Sequence, residues 1–253
     1  MTATHVAKDS LRLRAAGWAL HAYTASGTAI AFLALAAAVG GDEIAALWWL
    51  FLALLIDGTD GMLARRLRVK EVIPTFDGAR LDDIVDYITY CFVPVFLLWY
   101  GGHLPDGRLG TVLAVLPLLA SSYQFCRTDA KTDDHFFLGF PSYWNVLALY
   151  VIVLDVSPGA TAAMLLTCVV LVFVPIRYVY PSRTATARGL NLVLAASWLV
   201  TYAVMLVQSP DPNVVVTAAS LLYVVYYAVV SVVLTLRRRA HPNLRHSPEA
   251  CPS

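Results

Sequence analysis

The chain has 253 residues, of which 59% are hydrophobic and only 14% are charged, and its formal net charge is +1. Its mean hydropathy of +0.67 is far above that of an ordinary soluble domain. This composition leaves no soluble domain with room to fold, so we expect an all-α protein, a polytopic membrane helical bundle.

Eight stretches of the chain have the length and apolar character of a helix that crosses a bilayer, which needs about 20 mostly apolar residues. In chain order they cover residues 15–39, 44–63, 79–100, 109–127, 142–156, 160–180, 189–208 and 213–236. The predicted organisation is therefore a juxtamembrane segment at 1–14, a transmembrane domain at 15–236 and a tail at 237–253. The prolines of that tail predict disorder.

Basic residues accumulate on one side of this predicted topology. Seventeen of the eighteen Lys and Arg residues fall on that side, and only Arg108 falls on the other. Because cytoplasmic loops hold the excess of Lys and Arg, both termini are predicted to be cytoplasmic. The basic clusters suit a leaflet rich in anionic lipid, so nucleic acid is not needed to explain them. The four cysteines suggest neither disulfides nor a metal site.

Two pairs of acidic residues lie in apolar stretches where lipid disfavours charge. Asp57 and Asp60 lie near the end of the second predicted helix, and Asp82 and Asp86 near the start of the third. A charged side chain within the bilayer costs at least about 2.5 kcal/mol, so such acids usually mark a functional site. Spacings of three and four residues place each pair on one helix face. We therefore expect the four carboxylates to converge near the cytoplasmic ends of both helices.

Four converging carboxylates repel one another unless several are protonated or they hold cations. Hard divalent ions such as Mg²⁺ and Mn²⁺ favour oxygen ligands, and a pair of ions held by shared carboxylates is used in phosphoryl transfer. The pattern therefore predicts a metal site at Asp57, Asp60, Asp82 and Asp86, with two divalent metal ions, Mn²⁺ or Mg²⁺, as cofactors.

Small residues flank the acids on the same predicted helix faces. Gly61, Ala64 and Gly78 would let a nucleotide or its phosphates approach the backbone, although small residues in membrane helices also serve close helix packing. Arg65 offers a planar fork for phosphate oxygens. These residues predict a phosphate-binding region beside the metal site.

Residues 57–65 and 78–86 read Asp-x-x-Asp-Gly-x-x-Ala-Arg and Gly-x-x-x-Asp-x-x-x-Asp, and this pattern resembles the signature of the CDP-alcohol phosphatidyltransferases. The spacer between them, residues 66–77, is longer than is usual in that family. Together with the eight predicted spans and the segment 129–145, it resembles the branch of bacterial phosphatidylcholine synthases. The resemblance implies an enzyme, a CDP-diacylglycerol-choline O-phosphatidyltransferase. It would lie in the bacterial inner membrane with its active site facing the cytoplasm, and it could be a homodimer.

The resemblance also implies a role for each signature residue. Asp57 and Asp82 would bridge the two metal ions, and Asp60 would bind one of them. Asp86 would bind the other ion and, as the catalytic base, accept the proton of the alcohol. Binding of CDP-diacylglycerol falls to a further set of residues, in which Thr75 is a candidate phosphate contact: Gly61, Ala64, Arg65, Thr75 and Gly78.

Choline carries a permanent positive charge without N–H donors, so its recognition should rely on aromatic faces. Near the cytoplasmic end, the candidate choline-binding residues are Tyr123, Tyr143, Trp144 and Tyr178. An interfacial aromatic belt would also explain these residues. A polar patch in the first predicted helix fits either a lining of the same cleft or hydrogen bonding between helices; it consists of His21, Tyr23, Thr24, Ser26 and Thr28.

Three alternative functions stay open. One is the same transfer to serine, inositol or glycerol phosphate. An anionic or zwitterionic acceptor would need basic residues near Asp86, which Arg127, Lys131 and Arg177 could supply. The reaction of diacylglycerol with CDP-choline shares the motif. A membrane cation transporter also uses intramembrane acids. Transport favours acids near the midplane, however, whereas all four acids here gather near one face.

Overall fold

A computed structural model of the chain describes residues 3–130, 132, 136–180, 184 and 188–240. Most of these residues are helical, which confirms the all-α class. Lys131 and the predicted disordered tail beyond Ala240 lie outside the described residues. The part of the tail that is described, from Arg237 to Ala240, continues the last helix.

The described part of the chain contains ten α-helices. They are α1 (Ala3–Val39), α2 (Glu43–Arg66), α3 (Val69–Val72), α4 (Gly78–Asp86), α5 (Val93–Tyr100), α6 (Gly107–Cys126), α7 (Trp144–Val153), α8 (Pro158–Phe173), α9 (Arg188–Gln208) and α10 (Val214–Ala240). A π-helical turn at Tyr87–Phe92 joins α4 to α5. The two strands are β1 (Phe136–Leu138) and β2 (Arg177–Val179).

Five helices of the described chain are long and apolar enough to cross a membrane, which identifies a multi-pass membrane protein. They lie in α1, α2, α6, α9 and α10. The apolar helices α7 and α8 are shorter, with 10 and 16 residues. The third predicted span, 79–100, coincides with α4, the π-helical turn and α5. Eight crossings and two cytoplasmic termini stay predictions.

Local sequence accounts for the starts of the two helices that hold the acids. Asp42 caps α2 by accepting a hydrogen bond from the amide of Ala45 at 2.8 Å. Asp77 caps α4 by accepting from the amides of Ala79 and Arg80, both at 3.1 Å. Each carboxylate satisfies amide groups that have no partner within the helix. The cap at Asp77 fixes where α4 begins, and with it the positions of Asp82 and Asp86.

The π-helical turn has a cause in the sequence. Pro94 lies near the start of α5 and has no N–H to donate to the carbonyl four residues earlier, that of Tyr90. The helix is wider over Tyr87–Phe92, directly before this proline. Such turns are frequent at functional sites because they re-aim side chains, and this one directly follows Asp86.

Helix α1 packs closely along α3 and α4 through glycines. A Cβ atom added at Gly27 would lie 2.5 Å from Cγ1 of Val85, and one added at Gly17 would lie 2.7 Å from Cδ1 of Ile73. Val85 and Ile73 are both buried. The close approach therefore depends on the absent side chains, and it brings α1 against the helix that holds Asp82 and Asp86.

We expect Gly27→Ala to destabilise the protein by about 1–3 kcal/mol, because the added methyl overpacks the contact with Val85. The measurement is the thermal unfolding temperature of the purified protein in detergent. Gly159→Ala is the matched control, since a Cβ there meets no atom within 4 Å and alanine favours the helix. A Gly27→Ala protein as stable as Gly159→Ala would contradict the close packing.

Strands β1 and β2 form a small antiparallel sheet that sequence analysis did not predict. Phe136 pairs with Val179, Phe137 with Tyr178, and Leu138 with Arg177. The ring of Phe137 packs on Tyr180 with centroids 4.9 Å apart. The sheet thus ties the loop after α6 to the segment after α8, at the end of the bundle where α4 begins.

Candidate active site

Three carboxylates converge where α2 and α4 meet. Asp57 projects from α2, and Asp82 and Asp86 project from successive turns of α4. One ligand oxygen from each lies within 4.8 Å of the others, and all three side chains are half-buried. The four-residue spacing of Asp82 and Asp86 places both side chains on one face of α4, as the sequence predicted. This set of oxygen donors suits a hard divalent cation.

Asp60 is not one of the three acids whose oxygens lie within 4.8 Å of one another. It is buried one turn further along α2, and its Oδ2 accepts a hydrogen bond from Oγ1 of Thr24 at 2.8 Å. Its carboxyl also interacts with Asp82. The structure therefore brings three of the four predicted acids into one cluster, and holds Asp60 beside it.

The polar patch of α1 forms hydrogen bonds to α2, as one of its two interpretations predicted. Thr24 donates to Asp60, and the hydroxyls of Tyr23 and Thr59 lie 2.9 Å apart. The ring of His21 lies against Gly78, since a Cβ added at Gly78 would be 2.7 Å from Cε1 of that ring. The Nε2 atom of His21 is buried without a partner among the described residues. Helix α1 therefore contacts α2 at Thr59 and Asp60 and lies against Gly78 at the start of α4.

Tyr90 is a site residue that sequence analysis missed. Its hydroxyl donates a hydrogen bond of 2.6 Å to Oδ2 of Asp57, and its ring is buried. It follows Asp86 by four residues, so it extends the row of Asp82 and Asp86 along the same helix face. The four-residue spacing between Asp86 and Tyr90 is the sequence feature from which its place in the site could have been predicted. The hydrogen bond fixes the orientation of the Asp57 carboxylate.

The five residues predicted to bind CDP-diacylglycerol lie beside the acids but do not line the cavity described below. Gly61 lies under the guanidinium of Arg65, whose Nη1 would be 3.4 Å from a Cβ added at Gly61. Ala64 packs against the buried cluster of Leu20, Val69 and Ile73. The remaining two residues are Thr75, exposed between α3 and α4, and Gly78, the first residue of α4.

A cavity of about 250 Å³ opens directly on the carboxylate cluster. Four acids line one part of it: Asp57, Asp82, Asp83 and Asp86. Aromatic rings line much of the rest: Tyr90, Phe125, Phe137, Tyr143 and Tyr180. The other lining residues are Gln124, Arg127, Thr128, Ala130 and Pro141. The cavity therefore combines negative charge with aromatic faces.

Of the four predicted choline-binding residues, Tyr143 lines this cavity. Trp144 is fully buried in the core, where its indole N–H donates to Oγ of Ser121 at 2.7 Å. Tyr123 is exposed on α6 and packs on Phe173. The fourth residue, Tyr178, is buried in β2 and stacks on Tyr227. The structure does not bring these last three to the cavity wall.

Arg127 is the basic residue among the described residues that line the cavity, and Asp129 engages it. The guanidinium donates through Nε and Nη2 to the two carboxylate oxygens of Asp129, both at 2.8 Å. This hydrogen bonding lowers the pKa of Asp129 and raises the pKa of Arg127. The pair is therefore charged at neutral pH, and the positive charge of Arg127 is balanced locally.

The chain is similar to known proteins over most of its length. The family model of the CDP-alcohol phosphatidyltransferases matches residues 22–175. The chain is similar to phosphatidylcholine synthase of Pseudomonas aeruginosa, with 41% identity over 78% of this chain and 82% of that protein. It is also similar to phosphatidylcholine synthase of Legionella pneumophila, with 39% identity over 85% of this chain and 87% of that protein. Its similarity to phosphatidylcholine synthase of Borreliella burgdorferi is 34% identity over 88% of this chain and 95% of that protein. The chain belongs to the CDP-alcohol phosphatidyltransferase family.

Proposed function

We propose that this protein is a phosphatidylcholine synthase, which transfers the phosphatidyl group of CDP-diacylglycerol to choline and releases CMP. The relatives that bear this name cover most of both chains. The observation that carries the proposal is the cavity, which is lined both by the carboxylate cluster and by the aromatic residues Tyr90, Tyr143 and Tyr180. Carboxylates serve metal-assisted phosphoryl chemistry, and aromatic faces serve a quaternary ammonium group.

The carboxylate cluster fits a pair of divalent metal ions, Mn²⁺ or Mg²⁺. Three acids offer oxygens within 4.8 Å of one another, and such hard oxygen donors are what these ions favour. Asp57 and Asp82 would bridge the two ions, Asp86 would complete one site, and Asp60 would complete the other. When bound, the ions would neutralise the diphosphate of CDP-diacylglycerol and the departing CMP.

Asp86 would act as the catalytic base. The hydroxyl of choline is a weak nucleophile while protonated, so a carboxylate within hydrogen-bond reach accelerates its attack. The choline oxygen forms a bond to the phosphorus that bears diacylglycerol, its proton passes to Asp86, and the bond from that phosphorus to the CMP oxygen breaks. Tyr90 holds the neighbouring carboxylate of Asp57 through its 2.6 Å hydrogen bond. Positioning and electrostatics therefore carry most of the catalysis.

The CDP portion would bind beside the cluster, along the ends of α2 and α4. Arg65 lies over Gly61, where its guanidinium can reach phosphate oxygens. Gly78 begins α4, and Thr75 is exposed three residues before it. Ala64 would contribute by keeping this face of α2 small. The acyl chains would enter sideways from the membrane.

The charges around the cavity favour choline over an anionic or zwitterionic alcohol. Serine and glycerol phosphate carry a negative group that needs a basic partner. Arg127 is engaged by Asp129, and Arg177 lies over the ring of Phe136 with its Cζ 4.6 Å from the centroid. Four acids line the same cavity. A cation without N–H donors fits these surroundings better than an anion does.

The basic residues near the predicted cytoplasmic ends support an active site that faces the cytoplasm, in the bacterial inner membrane. We also propose that the protein forms a homodimer. The predicted tail would extend into the cytoplasm.

The deciding experiment supplies the purified protein in detergent with CDP-diacylglycerol, Mn²⁺ and one alcohol at a time. We expect CMP release with choline to exceed release with serine, inositol or glycerol phosphate by at least about tenfold, a difference of roughly 1.4 kcal/mol. Release with serine but not choline would move the assignment to another acceptor. A transporter would release no CMP with any alcohol. If the protein consumes CDP-choline with diacylglycerol, but not CDP-diacylglycerol with choline, then diacylglycerol is the acceptor and CDP-choline is the donor.

A further inference from the structure

Two hydroxyl groups from outside the signature donate hydrogen bonds to the acids of α2. In α1, Oγ1 of Thr24 donates to Oδ2 of Asp60 at 2.8 Å. In the π-helical turn, the hydroxyl of Tyr90 donates to Oδ2 of Asp57 at 2.6 Å. Both α2 acids of the proposed metal site are therefore held by a hydroxyl from another part of the bundle.

The chemistry of these two donors suits a metal site. A carboxylate only accepts hydrogen bonds, and it offers about four lone-pair sites, of which one hydroxyl uses one. The hydroxyl is neutral, so the carboxylate keeps its negative charge for a cation. A Lys or Arg in the same place would oppose that charge and repel the cation. A neutral donor thus orients a metal ligand without competing with the metal.

Close packing fixes Thr24 in position. The residue is only 8% exposed. Three residues before it, the ring of His21 lies against Gly78, and three residues after it, Gly27 lies against Val85. These two contacts join α1 to α4 on either side of Thr24. Its hydroxyl therefore has a defined place relative to both helices that hold the acids.

The ring of Tyr90 is equally constrained. It is buried in an apolar cluster that also contains Val95 and Trp144. Its centroid lies 5.9 Å from that of Tyr143. A tyrosine side chain has only two torsion angles, so a buried ring leaves its hydroxyl little freedom. The hydrogen bond to Asp57 therefore acts from a rigid support.

Partners that hydrogen-bond to metal ligands affect the metal itself. They orient the ligands, and their removal typically lowers metal affinity by about 10–100-fold. The acids at this site are close together, because oxygens of Asp57, Asp82 and Asp86 lie within 4.8 Å of one another and Asp60 interacts with Asp82. Such a site depends on the orientation of each carboxylate.

We propose that Thr24 and Tyr90 are positioning residues of the metal site, whose hydroxyl groups each hold one carboxylate of α2 in the orientation that binds the ions. This inference rests on the proposed function, because it takes the carboxylates as ligands of two divalent ions. In that arrangement Asp60 binds one ion and Asp57 bridges both. Thr24 therefore acts on one ion, whereas Tyr90 acts on both.

The test is a Mn²⁺ titration of the purified protein in detergent, followed by electron paramagnetic resonance, which gives the number of bound ions and their dissociation constants. Thr24→Val keeps the size of the side chain and loses the hydroxyl. It should weaken one of the two ions by about 10–100-fold and leave the other within about threefold. Tyr90→Phe should weaken both ions by at least about tenfold.

Two matched controls remove hydroxyls from the same elements. Tyr23→Phe removes a hydroxyl of α1 that lies 2.9 Å from the hydroxyl of Thr59 in α2. Tyr87→Phe removes a hydroxyl of the π-helical turn that donates to the carbonyl of Leu118 at 3.1 Å. Neither of these hydrogen bonds reaches a carboxylate. Both controls should therefore bind Mn²⁺ within about twofold of the wild-type constants.

A conservative variant separates the hydroxyl of Thr24 from its packing. Thr24→Ser keeps the donor to Asp60 and should bind both ions within about threefold of wild type. Thermal unfolding without metal is the second measurement. A role in packing alone would lower the unfolding temperature of Thr24→Val and leave its Mn²⁺ constants unchanged, which would overturn the inference. If Thr24→Val does not fold, Thr24→Ala carries the same test.

The inference is also overturned for a residue whose hydroxyl-free variant binds both ions within twofold of the wild-type constants. If Thr24→Val weakens both ions as much as Tyr90→Phe does, the assignment of Thr24 to one ion is wrong. A wild-type protein that takes up no Mn²⁺ would refute the proposed metal site, and this inference with it. Failure of the proposed reaction appears separately, as wild-type protein that binds Mn²⁺ but releases no CMP with choline.

Discussion

Replacing Asp86 by Asn should lower choline-dependent CMP release by about 10²–10⁴-fold, the usual contribution of a positioned general base. Asn keeps the size of the side chain and one oxygen ligand, but it cannot accept the proton of choline. Binding of CDP-diacylglycerol should change much less, because the residues proposed to hold it lie on α2, at the start of α4 and in the segment before α4. The measurements are the turnover rate for CMP and the affinity for CDP-diacylglycerol.

Asp77→Asn is the matched control for Asp86→Asn. It removes one negative charge from the same segment, while asparagine retains the oxygen that caps α4 through the amides of Ala79 and Arg80. Turnover should therefore stay within about threefold of wild type, since a retained cap changes stability by well under the typical 1 kcal/mol. An Asp86→Asn variant that kept more than a tenth of wild-type turnover would show that another group accepts the proton.

The carboxylate cluster could be predicted from sequence because its cause is local. The spacing of Asp82 and Asp86 fixes a shared helix face wherever the helix packs. Lipid makes isolated carboxylates costly, so carboxylates of neighbouring helices can be expected to share a cation. Asp57 therefore met its partners as predicted. Asp60 lies just beside the cluster, where it accepts a hydrogen bond from Thr24, a residue remote in sequence.

The walls of the cavity could not be predicted in the same way, because they depend on how distant segments pack. Trp144 and Tyr143 are adjacent in sequence, yet one is buried in the core and the other lines the cavity. Gln124 gains its position from the carbonyl of Leu138, and that strand exists because it pairs with β2. Each strand has only three residues, which is too short to show the alternation of apolar and polar residues that predicts a strand. The sheet could therefore not be predicted from periodicity.

Removal of divalent metal should abolish turnover reversibly. We expect a chelator to lower CMP release by at least about 100-fold, since charge stabilisation by a bound metal is worth several kcal/mol. Added Mn²⁺ or Mg²⁺ should restore it. Without a cation, three carboxylates with oxygens within 4.8 Å of one another would repel. A bound cation removes this repulsion, so we expect the cluster to bind one. Activity that survives exhaustive chelation would contradict this part of the proposal.

Metal binding itself supplies a measurement that does not depend on turnover. Free Mn²⁺ measured by electron paramagnetic resonance should fall on addition of wild-type protein, and Asp57→Asn or Asp82→Asn should weaken this uptake about tenfold or more, because each removes a charged ligand from the cluster. Asp155→Asn is the control for adventitious binding. That residue is exposed between α7 and α8 and has a φ of +48°, which asparagine also tolerates. Equal Mn²⁺ uptake by all three variants would show that the cluster is not the metal site, whereas selective loss in the two cluster variants would place the ions where α2 and α4 meet.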